Sequence, residues 1–118
     1  MNLLDTGIVI GMLKEKKYRA GFISPITLIE ILRGIEAKKR TKVKELLEQS
    51  FTLTNMDNKT IETYCELYRK LRQEGTTLPD ADLLIAATAI ANELALETND
   101  DHFQRLKEIG LKLSVTNF

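Results

Sequence analysis

Apolar positions along this chain recur with two different spacings, and the alternation between them predicts its elements. Short runs, "NLL" before Asp5, "AGFIS" at 20–24, "FTLTN" at 51–55, "LALET" at 94–98 and "KLSVTNF" at 112–118, predict five strands. Longer stretches between them have helical periodicity. "TGIVIGMLKEKK" from Thr6 predicts a helix closed by lysines, with Ile8, Ile10, Met12 and Leu13 mainly in the core. Ser24 and Pro25 supply a cap and a pre-set first helical residue for "PITLIEILRGIEA", whose Ile26, Ile29 and Leu32 fall three apart on one face. "AKKRTKVKELLEQ" reads as a surface helix. Asp57 or Asn58 caps a long helix to about Gln73, built on Tyr64, Leu67, Tyr68 and Leu71. After the loop "EGTTLP" comes "DADLLIAATAIA", apolar on nearly every side and ending near Asn92. "NDDHFQRLKEIG" predicts a last capped helix stopped by Gly110. Strands alternating with helices predict an α/β fold of three layers, α/β/α, around a mostly parallel five-stranded sheet.

Composition narrows this picture only a little. With 118 residues, 43% hydrophobic and 29% charged, the chain is expected to form a single domain over 1–118. Lys+Arg and Asp+Glu both number 17, so nucleic-acid binding would have to rest on local patches, not on overall charge. Cys65 is the only cysteine, which excludes an internal disulfide and a thiolate metal cluster and suits a reducing cytoplasm. His102 is the only histidine, which excludes a multi-histidine metal site. The N-terminus places its apolar run before its basic one, the reverse of a secretory signal. No apolar run approaches a membrane span, so no membrane partner is expected.

The acids raise the chemical question. In parallel α/β sheets, chemistry gathers beyond the carboxyl ends of the strands. Asp5 ends the first predicted strand and Asp100 follows the fourth. Glu30 lies in the helix leaving the second strand, and Asp82 in the first turn of the apolar helix leading back to the fourth. All four can converge at one mouth. Crowded carboxylates repel one another and lose hydration, a cost that a divalent cation reverses. An oxygen-only cluster suits Mg²⁺ or Mn²⁺. Each acid also has an ordinary reading. Asp5 can cap the helix at Thr6, and Asp100 or Asn99 the last helix. Asp80 reads best as a cap after Pro79, and Asp101 as a charge complementing the helix dipole. Asp82 is the hardest to explain structurally, because a cap needs no second acid two residues into a helix. Ser24 reads as a cap, Cys65 as core or core edge, and His102 as a residue of the surface or rim.

With "LLDTGIVI", "ISPITLIEILRG", "DADLLIAATAIA", "LETNDDHFQRL" and "GLKLSVTNF" in this order, the chain resembles the PIN-domain family, and within it the small VapC-type toxins of toxin–antitoxin pairs. The resemblance spans nearly the whole chain. It implies that Asp5, Glu30, Asp82 and Asp100 hold one or two Mg²⁺ or Mn²⁺ ions for hydrolysis of RNA, with Thr6 and Thr98 supporting them through hydrogen bonds. Gly7 departs from the asparagine that many relatives carry after "DT". The resemblance also implies a cognate VapB-like antitoxin, lodged by a segment in a groove between helices, and a homodimer. The basic runs "KEKKYR" and "KKRTKVK" read mainly as solvated faces; Lys38, Lys39 and Arg40 are the candidates for phosphate, with Arg33 at the mouth. The alternative is a non-catalytic PIN-fold subunit that binds RNA or protein. A haloacid-dehalogenase-like phosphatase needs two acids flanking one residue at the first strand, where "LLDTG" has one. A receiver domain needs a lysine ending its last strand, which "KLSVTNF" lacks.

Overall fold

The computed structural model describes residues 1–114. The chain runs β1 (Leu3–Leu4), α1 (Thr6–Glu15), β2 (Phe22–Ile23), α2 (Pro25–Leu32), α3 (Ala37–Ser50), β3 (Thr52–Leu53), α4 (Asn58–Gln73), α5 (Asp80–Ala91), β4 (Leu96–Glu97), a run of 3₁₀ turns (Asp101–Ile109) and β5 (Leu113–Ser114). The strands lie in the order β3-β2-β1-β4-β5, and every pairing is parallel. The five expected strands are all present. Of the last, residues 115–118 lie outside the described residues.

Central β1 explains the layering. Its two leucines are fully buried, and successive strand residues point to opposite faces. Leu3 joins Leu96, Leu67, Leu83, Ile85 and Phe103 beneath α4, α5 and the 3₁₀ run. Leu4 joins Ile8, Val9, Met12, Ile23 and Leu47 beneath α1, α2 and α3. Helices therefore cover both faces, as the alternating pattern predicts. Helix α5 is apolar all round because it is buried between α4 and the sheet, and its alanines let both neighbours approach closely.

Several local expectations change. Helix α2 ends at Leu32, with Arg33 as its C-cap, and does not run on to Ala37. Its buried residues are Thr27, Leu28 and Ile31, while Ile29 is 58% exposed. The helix turns Thr27 toward Thr6 and Glu30 toward the cavity described below, which swings Ile29 outward. Ile10 on α1 is likewise exposed, whereas Ile8 and Met12 are core as expected. Cys65 is exposed, next to the partly buried Tyr64 and two positions before the buried Leu67 of α4. The last helix is 3₁₀, and its buried Phe103 and Leu106 sit three apart, the repeat of that helix. Gly110 closes it at φ 111°, a left-handed conformation that favours glycine. The cap readings at Ser24 and Asp57 hold: Ser24 Oγ accepts from the Thr27 N–H at 3.2 Å, and Asp57 Oδ1 from the Thr60 N–H at 2.9 Å.

One tertiary link has no counterpart in the motifs. Glu97 of β4 is buried, and Arg19, in the loop after α1, grips its carboxylate with both terminal nitrogens, Nη1 lying 3.0 Å from Oε1. In the same loop, a Cβ on Gly21 would come 2.8 Å from Leu4 Cδ1, so only glycine fits there without moving the core.

Candidate functional site

The carboxyl ends of β1 and β4 open onto a cavity of about 680 Å³ whose wall includes Asp5, Glu30, Asp82, Asp100 and His102. The topology brings these residues together. β1 leads into Asp5, β4 leads to Asp100, and the second turn of α2 and the first turn of α5 bring Glu30 and Asp82 to the same cavity.

Asp5 is the innermost acid, 9% exposed. It is both a cap and a wall residue: Oδ1 accepts from the Thr6 N–H at 2.8 Å, and Oδ2 from the Thr98 hydroxyl at 2.7 Å. Burial raises its pKa above the ordinary carboxylate value. The nearby charges of Asp100 and Glu30 push the same way, and the two hydrogen bonds oppose. The Thr98 hydroxyl also accepts from the Asp100 N–H at 3.0 Å, so a single side chain aligns two acids. Thr6 plays the matching part for Glu30, donating to Oε1 at 2.8 Å, and its oxygen lies 3.0 Å from the Thr27 hydroxyl. Arg33 stands 3.9 Å from the other Glu30 oxygen, with its own side chain 71% exposed.

Asp82 and Asp100 form the outer part of the wall. Burial raises the Asp82 pKa first, followed by repulsion from Asp5, Asp100 and Glu30; His102 opposes, and no hydrogen bond among the described residues does. Asp100 Oδ1 caps the 3₁₀ run by accepting from the His102 N–H at 2.9 Å. His102 Nδ1 lies 3.1 Å from the same oxygen.

Other candidates lie elsewhere. Asp80 is no cap: Pro79 holds that position, and the Asp80 carboxylate accepts from the Tyr64 hydroxyl at 2.7 Å. This bond, with some burial, pushes the Tyr64 pKa up to about 12. Lys38, Lys39 and Arg40 are exposed at the start of α3, away from the cavity wall. Arg40 instead donates to the Ile35 carbonyl and borders a second, shallow apolar groove with Pro25, Leu28, Ile29 and Leu32. Thr27 has no role in the sequence reading and Asn99 only that of a possible cap, yet Thr27 touches Thr6 and Asn99 lines the wall. Thr27 could have been found, since it lies three residues before Glu30 on one helix.

The donor set fits a divalent cation. Oxygens from four acids surround one cavity; burial first, and then their mutual repulsion, raises the pKa of Asp5 and of Asp82, a strain that a doubly charged ion relieves.

A three-layer parallel fold with acids gathered at the carboxyl edge defines the PIN class, and the PIN domain family model matches residues 3–109, so the chain belongs to that family. Ribonuclease VapC1 of Methanocaldococcus jannaschii is 37% identical over 115 residues, covering 94% of this chain and 85% of that protein. Ribonuclease VapC1 of Rickettsia felis is 31% identical over 120 residues, covering 89% and 90%. Among solved structures, VapBC-1 from nontypeable Haemophilus influenzae superposes with a TM-score of 0.82 at 21% identity over 97% of this chain and 96% of that one, a likeness of fold. Among the described residues, no helix is long and apolar enough to cross a membrane.

Proposed function

We propose that this chain is a metal-dependent endoribonuclease, the toxin of a VapBC-type pair. The observation that carries the reading is the convergence of Asp5, Glu30, Asp82 and Asp100, distant in sequence, on one cavity wall. The VapC ribonucleases to which the chain is similar support the substrate, RNA.

Asp5, Glu30, Asp82 and Asp100 would hold one or two Mg²⁺ or Mn²⁺ ions. Bound beside a phosphodiester, such an ion lowers the pKa of an attacking water and stabilises the leaving oxygen. The protein's part is orientation. Thr98 fixes the Asp5 carboxylate and the Asp100 backbone, and Thr6 fixes Glu30, so the acids need little reordering when substrate arrives. Arg33, exposed beside Glu30 on the neighbouring groove, would offer positive charge to an incoming phosphate. The apolar groove beside α2 is the surface for a segment of a VapB-like antitoxin, in keeping with the VapBC complexes to which the fold is similar.

The test is cleavage of an RNA panel by purified protein with added Mn²⁺, compared with Asp5→Asn and Asp82→Asn variants that keep the native circular dichroism. Both variants should lose cleavage, and EDTA should abolish it in the parent. Full activity in both variants would sink the assignment. Tight RNA binding without turnover by the parent would replace it with the non-catalytic subunit.

A further inference from the structure

His102 stands in the cavity wall with its ring beside Asp100 Oδ1. Its side chain is 63% exposed, and the bond that caps the start of the 3₁₀ run comes from its backbone N–H, not its ring. Yet one ring nitrogen, one Asp82 oxygen and one Asp100 oxygen all lie within 4.8 Å of one another. Bonds of about 2.1 Å to one ion hold its ligands roughly 3–4.2 Å apart, so a small rotation of an exposed ring brings the three into range. The inner acids offer no such freedom, since Asp5 and Glu30 are already engaged by Thr98 and Thr6.

We propose that His102 is a nitrogen ligand in an otherwise oxygen-lined metal site, and that it tilts the site toward transition ions such as Mn²⁺ and away from Mg²⁺. The chemistry follows from the donor. Mg²⁺ is hard, keeps several waters and selects oxygen, whereas imidazole binds best to softer first-row ions. The proposal rests on the metal-dependent reading above and goes further by assigning a fifth ligand and a preference.

Because the chain has a single histidine, the assignment can be read directly. The full chain is loaded with Mn²⁺ alone and examined by pulsed electron paramagnetic resonance for nitrogen hyperfine coupling. Mn²⁺ and Mg²⁺ affinities are then measured by titration and competition. Nitrogen coupling is expected in the parent and absent in His102→Gln. The same substitution should weaken Mn²⁺ binding at least about tenfold and Mg²⁺ binding less than about threefold. Bound Mn²⁺ with no nitrogen coupling, or equal weakening of both ions, overturns the proposal and leaves the four-acid site standing. A parent chain that takes up no Mn²⁺ overturns the metal-dependent reading as well. The ring is exposed and makes no core contact, so the variant should fold, which circular dichroism checks.

Discussion

The two sides of the cavity are built differently. Asp5 and Glu30 on the inner side are each held by a threonine hydroxyl, and those threonines are tied in turn to Thr27 and to the Asp100 backbone. Asp82 and His102 on the outer side face the cavity with few restraints, and Asp82 carries its charge without a compensating hydrogen bond among the described residues. The inner side shows how a fold can position carboxylates at a tolerable cost, by giving each carboxylate a donor. The outer side shows burial, and then repulsion, acting on an acid that no such bond relieves. The bonds that hold the inner acids should therefore serve both stability and activity, whereas Asp82 should serve activity at a cost to stability.

Asp82→Asn gives the widest separation. Cleavage should fall by more than about 100-fold, beyond what loss of an outer-sphere partner costs. In EDTA the fold should nevertheless gain stability. The pKa of Asp82 is raised in the native state above its ordinary 3.8, so the folded chain holds its proton more tightly than the unfolded one. The contribution of this acid to stability is then fully present below 3.8 and is lost as pH rises through the native value. The variant should melt about 1–2 °C above the parent at pH 7, a small gain because solvent screens a partly exposed group, and the gap should close by about pH 3. A variant that melts lower at neutral pH would show that Asp82 also holds the fold.

Thr98→Val strikes the inner side. It leaves Asp5 Oδ2 and the Asp100 N–H without their shared partner, which should cost about 1–2 kcal/mol in denaturant unfolding and about 10–100-fold in cleavage. Loss of activity with unchanged stability would erase the difference between the two sides. Tyr64→Phe is the mildest test. Its hydroxyl bonds Asp80 on the exposed side of α5, so the variant should lose no more than about 0.5 kcal/mol and change cleavage less than about twofold. A tenfold drop would mean that Tyr64 sets the position of Asp82 through the first turn of α5.

Much of this contrast was legible in the residues. Asp82 stood out because an apolar helix has no packing use for a carboxylate, and Asp5 and Asp100 because the alternating pattern puts strand ends at one edge. The fold followed from the same alternation, which needs only local information. What escaped detection depends on the angle at which helices sit. Spacing alone put Ile29 with Ile26 and Leu32 on a core face, but the orientation of α2 is set by Thr27 and Glu30 meeting Thr6, a contact between segments 21 and 24 residues apart. Asp80 looked like a cap because its sequence neighbours suit one, while Tyr64, sixteen residues away, claims its carboxylate. Cys65 lies one step from the partly buried Tyr64 of α4, a distinction finer than periodicity resolves. Glu97 and Arg19 lacked any signal, because their partnership crosses 78 residues.

That last pairing bears on how the molecule can be engineered. The connector from Lys16 to Gly21 is the sort of surface segment where a tag or a splice would normally be grafted. Here its arginine reaches into the sheet and its glycine rests against the leucine of the middle strand. A graft at that point would pull the arginine off the buried Glu97 carboxylate, two residues before Asn99 of the acidic cavity wall. The turn at Gly75, with open space around it, is the safer place to cut or extend the chain.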